Sequence, residues 1–166
     1  RVVKESTADD VVIIHLKTFG GRVDAAVRIR DALLTAKAQT VVYIDQRAIS
    51  AGALISLACK TIIMRDGATM GATTPVQAGS DGKMQATSEK VVSYMRAEMR
   101  ATAEANGRRG DIAEAMVDKE IVVKGISEKD KLLTLTSDKA IQIGFVDAVV
   151  KNFDAALTLL NLDKVA

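Results

Sequence analysis

Thr40-Val41-Val42-Tyr43-Ile44-Asp45, then Gln46-Arg47-Ala48-Ile49, then Ser50-Ala51-Gly52-Ala53-Leu54-Ile55-Ser56-Leu57-Ala58-Cys59 is the stretch that decides the fold. The first six residues form an apolar, β-branched run, the signature of a strand covered on both faces. The last ten are small and apolar with almost no polar face, which predicts a buried helix. Thr61-Ile62-Ile63-Met64 is a further strand. Upstream, Val11-Val12-Ile13-Ile14-His15-Leu16 reads as another doubly covered strand. Between it and Thr40, the segment 24–36 sets Ala26, Val27, Leu33 and Leu34 on helical spacing, flanked by Val23 and Arg30. This βαβαβ rhythm predicts parallel strands joined by right-handed crossovers, hence an α/β domain.

Downstream, 67–84 is rich in Gly, Thr, Ser and Asp around the single Pro75, and predicts a protruding arm from Thr69 to Met84 and a mobile loop over 78–87. A long amphipathic helix is expected from Ser88 to Asn106, with Ser88 as cap and Gly107 as stop. A short helix follows over 111–118, capped by Asp111. Thr136-Ser137-Asp138-Lys139 opens a helix that stops at Gly144, 145–150 reads as a strand, and 153–162 as a final helix.

Composition narrows the function classes. With 166 residues, 48% hydrophobic and 27% charged, the chain reads as a single folded domain, 1–166, long enough to bury a sizeable core. Its 23 basic and 21 acidic residues, without a basic run, give no footprint for nucleic acid. One cysteine makes no internal disulfide, and no stretch approaches 18 uninterrupted apolar residues. Cys59 reads as a small apolar filler. No cluster of His and Cys suggests a metal, no cofactor is expected, and Asp9-Asp10 reads as a turn before a strand.

Ser50 stands where the strand breaks into the small-residue helix. A hydroxyl at a helix's first turn lies beside unpaired N–H groups that stabilise an oxyanion. Phe19-Gly20-Gly21, after the upstream strand, offers a second set of amides. The bland alternative is a helix cap at a close-packing site. His15, the only histidine, lies inside a strand and reads as a core or edge residue. A hydrolase built on Ser50 therefore needs another base, and an uncharged lysine has suitable strength.

Four blocks in order, Phe19 to Ala26, Ile49 to Ala53, Thr69 to Val76, and Leu133 to Thr136 with Ala140 to Gly144, resemble the protease domain of NfeD-type membrane-bound serine proteases, within the ClpP/crotonase and signal-peptide-peptidase superfamily. The resemblance implies a ClpP/crotonase-type fold, a mostly parallel sheet with flanking helices. It also implies that Ser50 is the nucleophile, Lys90 the general base with Lys83 as rival, and the amides of Gly21 and Ala51 the oxyanion hole. Relatives of this type cleave hydrophobic membrane-associated peptides, assemble as dimers or larger oligomers, and work beside stomatin/prohibitin-type scaffolds. The position before Gly20 is commonly proline in them and is Phe19 here. They also begin with an additional strand and helix, so this chain is expected to lack an edge of the sheet or to exchange segments between protomers. A place on the extracytoplasmic, periplasmic face of a membrane, anchored by segments outside this sequence, is the corresponding expectation.

The expected activity is endopeptidase action on an extended peptide added as a strand along 71–76, touching Gly20, Met70, Gly71, Ala72 and Thr73. Apolar walls from Leu54, Ile55 and Met70 predict hydrophobic residues before the scissile bond, with Ser88 or Thr87 steering the lysine. Two other classes compete. A catalytically silent module would oligomerise and dock a scaffold. Acyl-CoA chemistry of the crotonase kind would use the same oxyanion geometry but needs carboxylates that 50–58 does not supply.

Overall fold

The computed structural model describes residues 1–78 and 83–163. A one-turn helix α1 (Val2–Glu5) precedes β1 (Val11–Thr18), α2 (Val23–Leu34), β2 (Gln39–Ile49), α3 (Ala51–Leu57) and β3 (Thr61–Arg65). Then come β4 (Thr69–Gly71), β5 (Val76–Ala78), β6 (Met84–Ala86), α4 (Glu89–Ala105) and α5 (Gly110–Ala115). The chain closes with β7 (Thr134–Thr136), α6 (Ser137–Gln142), β8 (Ala148–Val150) and α7 (Phe153–Leu159).

β2 is the spine of the sheet. β1 runs parallel along one edge, from Val11 opposite Gln39 to Thr18 opposite Ala48. β3 pairs in parallel with Val41 to Ile44 on the other edge, and β4 pairs in parallel with Arg47 to Ile49. Because β1 still holds Ala48, β4 must take the edge that β3 has left. β8 extends the sheet beyond β3 in parallel, and β7 lies antiparallel against β4. The sheet is thus mostly parallel, and β2 carries its last residues past one neighbour and onto another. The expectation that this strand ends at Asp45 falls short for that reason: the strand runs on through half-buried, polar Asp45, Gln46 and Arg47, and pairs again with β4 from Arg47 to Ile49.

The unbroken apolar runs follow from burial on both faces. Val42, Ile44, Ile62 and Met64 point into the main core with α3, α4 and α5, while Val41, Tyr43 and Ile63 pack under α7 through Ala156, Phe153 and Leu160. Period-two alternation is present in space but invisible in hydropathy. α3 is almost wholly buried because it is small: a Cβ on Gly52 would stand 2.5 Å from the Thr18 methyl, so the helix lies directly on the end of β1. Met95, Met99 and Met116 are core residues.

Three local expectations change. Arg109, not Asp111, holds the cap position of α5, while the Asp111 carboxylate accepts the Ile112 N–H and pairs with Arg109. The strand expected over 145–150 shortens to β8, because Phe145 and Val146 turn into the core and the Asp147 carboxylate accepts bonds from the Ile62 N–H and the buried Arg108. The arm expected from Thr69 to Met84 begins inside the main sheet as β4, and β5 and β6 form a separate antiparallel ribbon. Residues 79–82 of the loop expected over 78–87 lie outside the described residues.

Cys59 behaves as the filler the sequence suggests. It is buried, and desolvation pushes its thiol up to about 12, partly countered by the Arg108 charge. The thiolate is the reactive form, so a maleimide at neutral pH is expected to leave the folded protein unlabelled and to label it fully in denaturant. Mass spectrometry of the two samples checks this.

Candidate active site

Three backbone turns converge at the ends of β1, β2 and β4. At the first, the Thr18 hydroxyl accepts the Gly20 N–H and donates to the Gly20 carbonyl, both at 3.0 Å, which folds the Gly20-Gly21 loop back on its strand. At the second, Ser50 adopts φ 56° and ψ −118°, a conformation that L-residues seldom hold and that costs of order 1–3 kcal/mol. At the third, Gly71 stands at φ +135° and its carbonyl accepts the Ser50 N–H at 3.0 Å.

These turns make close contact. A Cβ on Gly20, itself at φ +133°, would stand 2.8 Å from Ser50 Cβ and 3.2 Å from its Oγ. Glycine is therefore required beneath the serine on two counts, conformation and space. A methyl on Gly21 would lie 4.0 Å from the Ala51 side chain, so the loop and the first turn of α3 face one another. Among the described residues, neither the Gly21 nor the Ala51 amide has a hydrogen-bond acceptor. Ser50 occupies the cap position of α3 without capping it: its hydroxyl makes no bond to the helix amides. A serine kept only as a cap would use its side chain there.

Beside Ser50 lies a narrow cleft of about 10 Å³, lined by Val23 and Ala26 of α2, Ser50, Ala51 and Leu54, Thr73 and Pro75, and Met95 of α4. Its lining residues are apolar except Ser50 and Thr73. Thr73 is 3% exposed, and its Oγ1 has no hydrogen-bond partner.

Ser50, Ala51, Gly20, Gly21 and Thr73 are therefore brought together, while other expected contributors stand elsewhere. Met70 is fully buried in the core and does not wall the pocket; nor does Ile55. Met70 sits in mid-strand between β2 and β7, so its side chain alternates into the interior. Strand addition along 71–76 has no open edge at its start. Gly71 is paired on both sides, and the amides of Ala72 and Thr73 donate to the Leu133 and Met116 carbonyls at 3.0 and 2.6 Å. The open main chain begins at the ribbon, where Val76 is exposed. Lys90, second residue of α4, is exposed and does not line the pocket, and Lys83 is exposed too. The Thr87 hydroxyl donates to the Pro75 carbonyl at 3.2 Å and is occupied there. His15 is half-exposed, stacked on Phe153 and 3.8 Å from Asp45, away from these turns. Phe19 is 75% exposed, with the Arg47 guanidinium 4.4 Å above its ring, which holds the side chain over the sheet edge where proline was expected. Among the described residues no group of His, Cys, Asp and Glu is arranged to hold a metal.

The sequence pointed to the serine and the glycines but missed Val23, Ala26, Pro75 and Met95 as pocket walls. Val23 and Ala26 lie one helical turn apart immediately after the glycine pair, a spacing that marks them as one face. Met95 carried no such signal, since its helix meets the pocket only through the tertiary fold.

The family model described as the NfeD1b N-terminal domain matches residues 2–166. The chain belongs to that family. It is 35% identical to the membrane protein NfeD1b of Bacillus subtilis (strain 168) over 162 residues, covering 97% of this chain and 36% of the relative. It is 28% identical to the membrane-bound protease PH1510 of Pyrococcus horikoshii over 163 residues, covering 96% of this chain and 34% of that protein. The chain spans about a third of the length of these curated relatives. Among solved structures, a mutant of the 1510-N membrane-bound stomatin-specific protease in complex with a substrate peptide superposes with a TM-score of 0.76 at 27% identity, covering 89% of this chain and 64% of that one. ClpP1 from Listeria monocytogenes superposes with a TM-score of 0.60 at 21% identity, over 89% and 77% of the two chains. This NfeD1b-family domain has the ClpP-like fold. Its named relatives are membrane proteins or membrane-bound, and among its described residues no helix is long and apolar enough to cross a membrane.

Proposed function

We infer that this domain is a serine endopeptidase in which Ser50 Oγ attacks the scissile carbonyl, Lys90 takes the proton, and the amides of Gly21 and Ala51 receive the oxyanion. The tetrahedral intermediate collapses to an acyl-enzyme with release of the amine, protonated by the lysine, and water then attacks the ester carbon to free the acid. The observation that carries this reading is the backbone at Ser50. It is strained, it leaves the hydroxyl uncommitted, and it stands among two sets of unpaired amides. Strain of this kind persists only where the surrounding structure imposes it. The naming of one relative as a stomatin-specific protease supports the peptidase class.

The substrate we propose is a hydrophobic, membrane-associated segment bound in extended form. Its main chain pairs with the ribbon from Val76 onward, and apolar pocket walls favour its hydrophobic character. A stomatin- or prohibitin-type scaffold is the proposed partner, a homo-oligomer the proposed assembly, and the extracytoplasmic face of a membrane the proposed location. Lys90 must move inward from its exposed position to act, and Lys83 is the second candidate for that role. The exposure of Lys90 is also the observation that favours the other reading, a silent module that docks partners.

A fluorophosphonate probe separates the two. The peptidase reading expects a covalent adduct, located on Ser50 by peptide mass spectrometry, that slows markedly in Lys90→Ala and not in Lys83→Ala. Absence of any adduct on Ser50 establishes the module.

A further inference from the structure

Thr18, the last residue of β1, serves two elements with one side chain. Its methyl stands 2.5 Å from where a Cβ on Gly52 of α3 would be, so it packs directly under that helix. Its hydroxyl accepts the Gly20 N–H and donates to the Gly20 carbonyl, both at 3.0 Å. The second of these bonds reaches further than the first, because the Gly20 carbonyl and the Gly21 N–H belong to one peptide unit. In a trans peptide the two point in opposite directions, so a carbonyl held by Thr18 turns the Gly21 N–H away from Thr18. A peptide between two glycines lacks the Cβ atoms that ordinarily limit its rotation, and Gly20 already stands at φ +133°. Nothing in the glycines themselves selects one orientation. Among the described residues, the Thr18 hydroxyl is the hydrogen-bond partner of the Gly20 carbonyl, and the Gly21 amide has no acceptor.

We propose that Thr18 is a positioning residue for the oxyanion hole, its hydroxyl fixing the Gly20-Gly21 peptide in the orientation that presents the Gly21 N–H to the developing charge. This rests on the peptidase reading of Ser50 and adds to it a residue that touches neither substrate nor the reacting atoms. The peptide lies beside the nucleophile: a Cβ on Gly20 would stand 3.2 Å from Ser50 Oγ. Were the peptide turned over, it would offer a carbonyl oxygen in place of an N–H, and the negative end of a dipole repels the charge that a donor stabilises. Orientation therefore decides the sign of the effect. The methyl has a separate duty, since it sets the loop against α3, whose first residue Ala51 supplies the other amide; a methyl on Gly21 would lie 4.0 Å from the Ala51 side chain. Hydroxyl and methyl can thus be removed one at a time.

The test compares threonine with valine and serine with alanine at this position, each variant checked for native folding by urea denaturation. With a fluorogenic hydrophobic peptide, Thr18→Val is expected to lose about ten- to a hundredfold in kcat with KM within about twofold, because the oxyanion forms only on the way to the intermediate. Thr18→Ser is expected to stay within about threefold of wild type, and Thr18→Ala to fall as Thr18→Val does. A kcat kept by Thr18→Val, or lost equally by Thr18→Ser and Thr18→Ala, assigns the residue to packing and overturns the proposal. So does a rise in KM at constant kcat. Should Thr18→Val not fold, the serine and alanine pair decides alone. Crystal structures of the folded variants read the peptide without chemistry: the Gly20 carbonyl is expected to turn where the hydroxyl is removed and to stay in Thr18→Ser. A carbonyl unmoved by loss of the hydroxyl overturns the proposal. If wild type neither hydrolyses peptide nor takes a fluorophosphonate on Ser50, the peptidase reading falls, while these structures still decide whether Thr18 holds the peptide.

Discussion

Replacing Ser50 with alanine is expected to lower kcat for peptide hydrolysis by on the order of 10⁴ to 10⁶, leaving only what unpaired amides and binding provide. The fold is expected to be indifferent. The Ser50 hydroxyl does not cap α3, so no internal bond is lost, and alanine bears the same φ 56° backbone no worse than serine does. Stability should therefore change by less than about 0.5 kcal/mol, as at sites without a structural role for the side chain. The pair of measurements matters more than either alone: urea denaturation shows that the variant is native, and turnover of a fluorogenic hydrophobic peptide shows that it is inert. Undiminished turnover by native Ser50→Ala protein ends the mechanism.

Gly71→Ala is expected to act in the opposite way, through the fold. An added Cβ would stand 2.5 Å from the Leu133 carbonyl oxygen and 2.9 Å from Thr134 Cα, and the residue sits at φ +135°. Both obstacles are main chain. Neither turns aside as a side chain would, and moving them breaks the antiparallel ladder that joins Thr69–Gly71 to Thr134–Thr136. Steric displacement plus a disallowed backbone conformation amounts to about 3–5 kcal/mol, a large part of the 5–15 kcal/mol that stabilises a typical domain. For a chain of this size the melting temperature should fall by roughly 10 °C. The site should suffer further, because the Gly71 carbonyl accepts the Ser50 N–H and helps hold the strained turn. Peptidase activity per folded molecule should fall as well. A loss below about 1 kcal/mol in urea denaturation would mean that the ladder is not packed as described.

The parts of the fold that announced themselves are those whose chemistry is local. Val41 to Ile44 and Ile62 to Met64 read as strands because both faces are covered, and Ser50 stood out because a strand ends there on a run of small residues. The last residues of β2 stayed hidden, since Gln46 and Arg47 are polar and the pairing of Arg47 to Ile49 with β4 is long-range. β7 stayed hidden for the same reason. Three residues held by β4 carry too little pattern to declare a strand. At the site, glycines and serine were legible as a constellation, whereas the inward burial of Met70 depends on strand register, which moves a side chain from one face to the other with a slip of one residue. The exposure of Lys90 was not legible either, because a lysine at a helix start looks the same in sequence whether it faces solvent or a cleft.

The bonds that tie α4 to other elements fall in its middle and far end. Arg96 pairs with Asp118, Arg100 with Glu114, Glu98 with Arg30, and the Thr102 hydroxyl accepts from Arg30, while Met95 and Met99 are buried. Among the described residues Glu89 and Lys90 show no such side-chain tether to the body of the domain; Glu89 pairs with Arg96 of its own helix, at 3.4 Å. Val92, later in the same turn, packs on the core, so it is Glu89 and Lys90 ahead of it that can part from the helix at small cost, since helix ends part with few bonds. The amine is thus mounted on a fraying tip of a fixed rod. Its distance from the serine can be reset by the first two residues of the helix, without shifting the rest of it or lifting Val92 from the core.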